Sequence, residues 1–101
     1  MVLTLAKRLW NIFTEDMDHC MFTGIYGVER HHIFSHTHME RVLCEKYGFI
    51  APLLPMLHPN GVHAGKEAYK VDKQLKQMCR DYYLKHYGTE EQFRQEFYYV
   101  S

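Results

Sequence analysis

The 101-residue chain is short of several things, and each shortage removes a class of protein. Cysteine occurs only three times, as Cys20, Cys44 and Cys79, at wide spacing and with no C-x-x-C pair. That excludes a disulfide framework and a four-cysteine structural zinc site, and it suits a reducing cytoplasm better than secretion. Charge of one sign is also lacking, since twelve Lys and Arg balance twelve Asp and Glu. A net charge of zero argues against indiscriminate coating of nucleic acid, which draws on phosphate neutralisation by a basic surface. A local basic face stays open. No apolar run approaches membrane-spanning length, so no membrane partner is expected. The N-terminal apolar stretch contains Lys7 and Arg8 and is followed by no small-residue cleavage site, so it reads as a helix and not as a signal peptide. There is no repeat, low-complexity segment or linker, and the length suits one domain, 1–101.

What is present is a globular composition, 47% hydrophobic and 24% charged, with histidine in excess. There are eight histidines, and His31, His32, His36 and His38 fall within eight positions. Histidine is the commonest neutral metal ligand and the side chain best suited to proton transfer near pH 7. His36 and His38 read as exposed loop histidines.

The pattern predicts an α+β fold. Val2, Leu5, Ala6, Leu9, Trp10 and Phe13 repeat at helical spacing, giving an N-terminal helix over residues 1–14 that ends at the acidic break Thr14 to Asp18. Cys20 to Thr23 reads as a short strand, Gly24 to Gly27 as a turn and Val28 to Phe34 as the returning strand of a β-hairpin. A helix is expected from about Met39 to Tyr47, closed by Gly48. Pro52 and Pro55 make Phe49 to Leu57 extended. His58-Pro-Asn-Gly61 is a turn, with Asn60 as a turn residue. A long helix is expected from about Val62 to Tyr87, with Ala68, Val71, Leu75, Met78, Cys79 and Tyr82 on one face. Gly88 stops it, and Thr89-Glu-Glu-Gln92 is a capping box for a last helix carrying Phe93 and Phe97. Cys44 and Cys79 fall at apolar positions and read as core residues. The placement of Tyr98 and Tyr99 stays open.

This order sets a His pair on a strand and further histidines where a helix begins. A one-metal hydrolytic site needs two or three neutral imidazoles around a divalent cation, and a separate imidazole to take a proton from water. Adjacent strand residues suit that division, because successive side chains point to opposite faces. His58 and His63 are five apart and do not stack on a straight helix. A turn at Pro59 to Gly61 would bring them together. Spacing alone leaves a second reading, in which His58 caps the turn and His63 caps the helix.

The stretches Val28-Glu-Arg-His-His-Ile-Phe34, Glu45-Lys-Tyr-Gly-Phe49, Pro52-Leu53 and Leu57-His-Pro-Asn-Gly-Val-His63 resemble the small HNH (His-Me finger) endonucleases of phages and prophages. The likeness runs from about His19 to Phe97. It implies a ββα-metal core over residues 19–66, flanked by the N-terminal helix and by C-terminal helices over residues 64–101. It further implies cleavage of DNA phosphodiesters with one divalent ion (Mg, Mn, Ni or Zn). Carried over by position, His31 is a metal ligand, His32 the general base, His63 a second ligand and His58 a third. Imidazole-rich ligation leans towards a transition metal. Arg30, Arg41, Lys46 and Lys66 flank this site and are candidates for phosphate contact, with a solvated face as the plain alternative.

Two departures from the family pattern stand out. Thr23 and the Leu54-Pro-Met-Leu57 segment replace the cysteines of the zinc knuckles. No Asn lies in the matching region from Tyr47 to Ile50 to orient His32, leaving that task to a backbone carbonyl. These departures and the neutral charge support a second reading from another class. In it the chain is a phage protein of HNH descent that binds and inhibits a host nuclease or defence protein.

Overall fold

Between Glu29 and Leu53 the chain runs strand, helix, strand. In the computed structural model, which describes residues 9–59 and 61–97, β1 spans Glu29–His32, α1 His38–Tyr47 and β2 Ile50–Leu53. A 3-10 turn at Pro55–Leu57 leads to α2, Ala68–His86, and α3, Glu90–Glu96. β1 and β2 pair antiparallel, with Glu29 opposite Leu53 and His32 opposite Ile50. The architecture is α+β, and its radius of gyration of 13.3 Å is that of a compact unit of this length. No helix among the described residues is long and apolar enough to cross a membrane.

Local chemistry explains the helix ends. Thr37 accepts the Glu40 amide while the Glu40 carboxylate accepts the Thr37 amide, a reciprocal capping box at the start of α1. Thr89 and Gln92 repeat the device at α3, as the sequence predicts. Gly48 ends α1 in the left-handed region at φ 81°, and the Trp10 ring packs directly on it. A Cβ there would stand 2.8 Å from Trp10 Cζ3.

Four expectations are corrected. The helix expected over residues 1–14 lies mostly outside the described residues, and the described part, 9–14, is not helical. Asn11 takes that segment elsewhere. Its Nδ2 donates to Ile50 O at 2.7 Å, and its Oδ1 accepts the amides of Phe13 and Thr14. Asn11 thereby bridges Phe49 as a strand partner and Ile12 N–H reaches Gly48 O at 2.8 Å, so tertiary pairing overrides helical periodicity.

Second, the expected hairpin is reduced to a single bridge, His19 with Tyr26. Cys20 to Thr23 turns because Gly24 N–H bonds Cys20 O and Met21 N–H bonds Pro52 O of β2. β1 therefore pairs with β2 across α1, where all four residues of β2 are buried. Third, the long helix starts at Ala68 and not near Val62. Gly65 N–H bonds back to Met56 O at 2.7 Å, holding 61–67 in successive turns against the 3-10 turn. Fourth, Pro55–Leu57 is that turn and not extended chain, with Pro55 supplying the fixed φ of a first helical position. The expected turn residue Asn60 and the pair Tyr98 and Tyr99 lie outside the described residues.

The core gathers Ile33, Phe34, Phe49, Ile50, Leu53, Leu75, Phe93 and Phe97 with Cys44 and Cys79, all buried. All three cysteines are free thiols. Tyr47 and Tyr83 enter this core with their hydroxyls satisfied, because both donate to the Glu96 carboxylate, at 2.8 and 2.6 Å. Burial and the Glu96 charge push the Tyr47 phenol up to about 12 and the Tyr83 phenol higher still. Burial likewise pushes the Cys44 thiol up to about 12.

Two outcomes are expected. Gly48→Ala loses about 2 kcal/mol in urea unfolding, from the left-handed backbone and the clash with Trp10. The raised groups keep their protons in the folded chain after the unfolded chain has lost them. Stability is therefore full below the ordinary thiol and phenol range and falls as pH rises towards 12. Thermal melts across that range check this, with Tyr47→Phe giving a shallower decline.

Candidate functional site

β1 is one strand with two faces, and the two-residue period decides what each face holds. Glu29 and His31 point one way, Arg30 and His32 the other.

On the first face His31 is only 3% exposed. His58, just beyond the 3-10 turn, stacks edge-on against it with ring centroids 4.8 Å apart. Glu29 Oε1 lies 2.6 Å from His58 Nδ1. A carboxylate only accepts, so Nδ1 carries a proton, and in the neutral form of the ring the lone pair lies on Nε2. Metal-binding histidines are commonly fixed in this way by a carboxylate on the other nitrogen. Gly61 leaves room for the pair, since a Cβ there would stand 3.1 Å from Glu29 Oε1.

Asp72 of α2 faces His31 from a third element, with Oδ1 3.7 Å from His31 Nε2. That distance is too long for a hydrogen bond, and His31 Nε2 is the one buried side-chain nitrogen or oxygen among the described residues with no such partner. Lys76, one turn along, binds Asp72 Oδ2 at 2.7 Å. Burial holds the His31 imidazole below its ordinary value, against the pull of Asp72, so the ring is neutral at pH 7. Burial pushes the Asp72 carboxyl up, but His31 and Lys76 outweigh it, and the group stays ionised.

On the second face His32 Nε2 lies 2.9 Å from Glu45 Oε2 of α1, both side chains about a quarter exposed at 23%. Arg30 is held there too, by Asp18 at 3.0 Å and by Met17 O at 3.2 Å.

The histidines predicted as a set are thus brought together in part. His31 and His58 touch, and His32 sits next to His31 in sequence but on the opposite face. His63 is exposed on the turn segment before α2, and no hydrogen bond, ion pair or ring contact ties it to the others among the described residues. The proposed phosphate contacts come from separate segments. Arg30 is on β1, Arg41 on α1 reaching Ser35 O, Lys46 on α1 over the Tyr47 ring, and Lys66 exposed before α2. As the described side chains stand, no three His, Cys, Asp or Glu groups enclose an ion.

Sequence reasoning missed Glu29, Glu45, Asp72 and Lys76. Glu29 was within reach, because a residue two before His31 on a strand must share its face. Asp72 and Lys76 have the four-residue spacing of a helical ion pair, but nothing in the sequence aims them at His31. Glu45 lies 13 residues from His32, and only the packing of α1 on β1 joins them. No protein-family model matches the chain, and searches of curated proteins and of solved structures find no match.

The Glu29–His58 contact has a spectroscopic consequence. Nitrogen-15 shifts of His58 at neutral pH are expected to report the Nδ1–H tautomer. Glu29→Ala is expected to move the ring towards the Nε2–H form that free histidine prefers.

Proposed function

We propose that the chain is a metal-dependent nuclease of the HNH kind that hydrolyses DNA phosphodiester bonds, with His31 and His58 binding one divalent ion and His32 as general base. The observation that carries this reading is the buried His31 Nε2, neutral and without a hydrogen-bond partner, set against a second imidazole whose tautomer Glu29 fixes. An unsatisfied buried polar atom costs about 1–3 kcal/mol, and such a cost is tolerated where a ligand relieves it.

A divalent ion bound there would offset the charge that builds on the phosphate and on the leaving oxygen. The chain's own residues supply the proton chemistry. His32 gives its Nε2 proton to a hydrogen bond with Glu45, which leaves Nδ1 to accept a proton from water. The water oxygen then attacks phosphorus, one proton passes to His32, and the expelled sugar oxygen takes a proton from solvent. Glu45 holds the ring and stabilises the imidazolium, the role a carboxylate plays beside a catalytic histidine. It stands in for the Asn that the family pattern would supply. Arg30, Arg41, Lys46 and Lys66 are the proposed phosphate contacts, and His63 is a further candidate donor.

A second reading, a non-catalytic protein of the same descent that binds a host nuclease or defence protein, is favoured by one observation. His31 and His32 point to opposite faces of β1, which separates the base from the ion.

Plasmid cleavage with Mn²⁺, Mg²⁺, Ni²⁺ or Zn²⁺ separates the two. Nicking or linearisation is expected with at least one ion, abolished by chelator, and reduced about 100-fold or more by His32→Ala. Glu45→Ala is expected to lower kcat about tenfold or more while KM holds. Cleavage no greater than that of His32→Ala with every ion supports the binding reading instead.

A further inference from the structure

His31 Nε2 and Asp72 Oδ1 face each other at 3.7 Å. An imidazole N–H aimed at a carboxylate closes to about 2.8 Å. Two donors on one tetrahedral ion, each with a bond of about 2.1 Å, stand about 3.4 Å apart. The observed gap is nearer the second spacing. Asp72 Oδ2 is occupied by Lys76 Nζ at 2.7 Å, so Oδ1 is the oxygen left towards His31. The Asp72 side chain is 19% exposed, which leaves it room to rotate.

We propose that Asp72 is the oxygen donor to the ion held by His31 and His58, giving a two-imidazole, one-carboxylate set in place of three histidines. The inference rests on the metal-site reading of His31 and His58. Glu29 leaves His58 Nε2 as the donating nitrogen on one side of His31, and α2 brings the carboxylate to Nε2 of His31. Among the described residues no three such groups are placed to hold an ion, so the proposal requires the side chains to draw in by rotation while β1 and α2 stay in place. His63 lies on the exposed turn segment, apart from this cluster. A carboxylate in the set shifts preference towards Mn²⁺ and Zn²⁺, which accept mixed nitrogen and oxygen donors.

The test is ion affinity, read without catalysis: Mn²⁺ by the resonance signal of the free ion, and Zn²⁺ by competition with a chromophoric chelator. Asp72→Asn is expected to weaken binding at least about tenfold, the smallest loss typical of a site's supporting residues. Lys76→Met removes a competing cation from the same carboxylate, so its binding is expected to hold or tighten. An Asp72→Asn affinity within about twofold of the unaltered chain overturns the proposal. Loss of binding in Lys76→Met overturns it too, because the pair is then structural, and this arm decides even if Asp72→Asn fails to fold. Loss in His63→Ala with none in Asp72→Asn overturns the role of Asp72 and leaves the metal reading standing. No binding to the unaltered chain overturns both.

Discussion

The two-residue period of β1 governs everything around it. Four residues long, the strand presents Glu29 and His31 to one side and Arg30 and His32 to the other. Its register against β2 is held by a partner with every residue buried. A slip of one residue would exchange the faces, exposing His31 and burying Arg30. The cost of burying an unpaired arginine closes that alternative. A strand this short keeps its register because the burial of β2 and the Asn11 tie to Ile50 leave no other pairing satisfied.

Each polar group at the strand is answered from a different element. His58 comes from the end of the 3-10 turn, Asp72 and Lys76 from α2, Glu45 from α1, and Asp18 from the segment before β1. The helices that supply them are fixed by a separate apolar centre, where Phe34 packs against Phe49, Phe93 and Phe97. There Glu96 accepts from the buried Tyr83 and the partly buried Tyr47. Packing sets the positions, and the carboxylates then set the tautomers. His31 Nε2 is the exception, and the functional reading grows from it.

Elements whose signals are local were legible in the sequence. The capping box at Thr89 and the left-handed stop at Gly48 depend on residues within a few positions, and α1 and α3 appear where these signals point, while the Thr37 capping box is equally local and went unread. The burial of Cys44 and Cys79 follows from helical spacing in the same way. Pairing was not legible. Nothing near Cys20 shows that its neighbour's amide is taken by Pro52, and nothing near Asn11 shows its reach to Ile50, 39 residues away. At the site, His31 and His58, named together from the sequence, lie against each other, while the carboxylates that accompany the histidines depend on helix packing that one sequence does not display.

The central claim is that His31 and His58 hold an ion together. The most direct measurement is anomalous diffraction from a crystal of the unaltered protein grown with Zn²⁺. The account predicts a peak about 2.1 Å from His31 Nε2 and from His58 Nε2. An ion bound by neither histidine, or none bound at all, would contradict it.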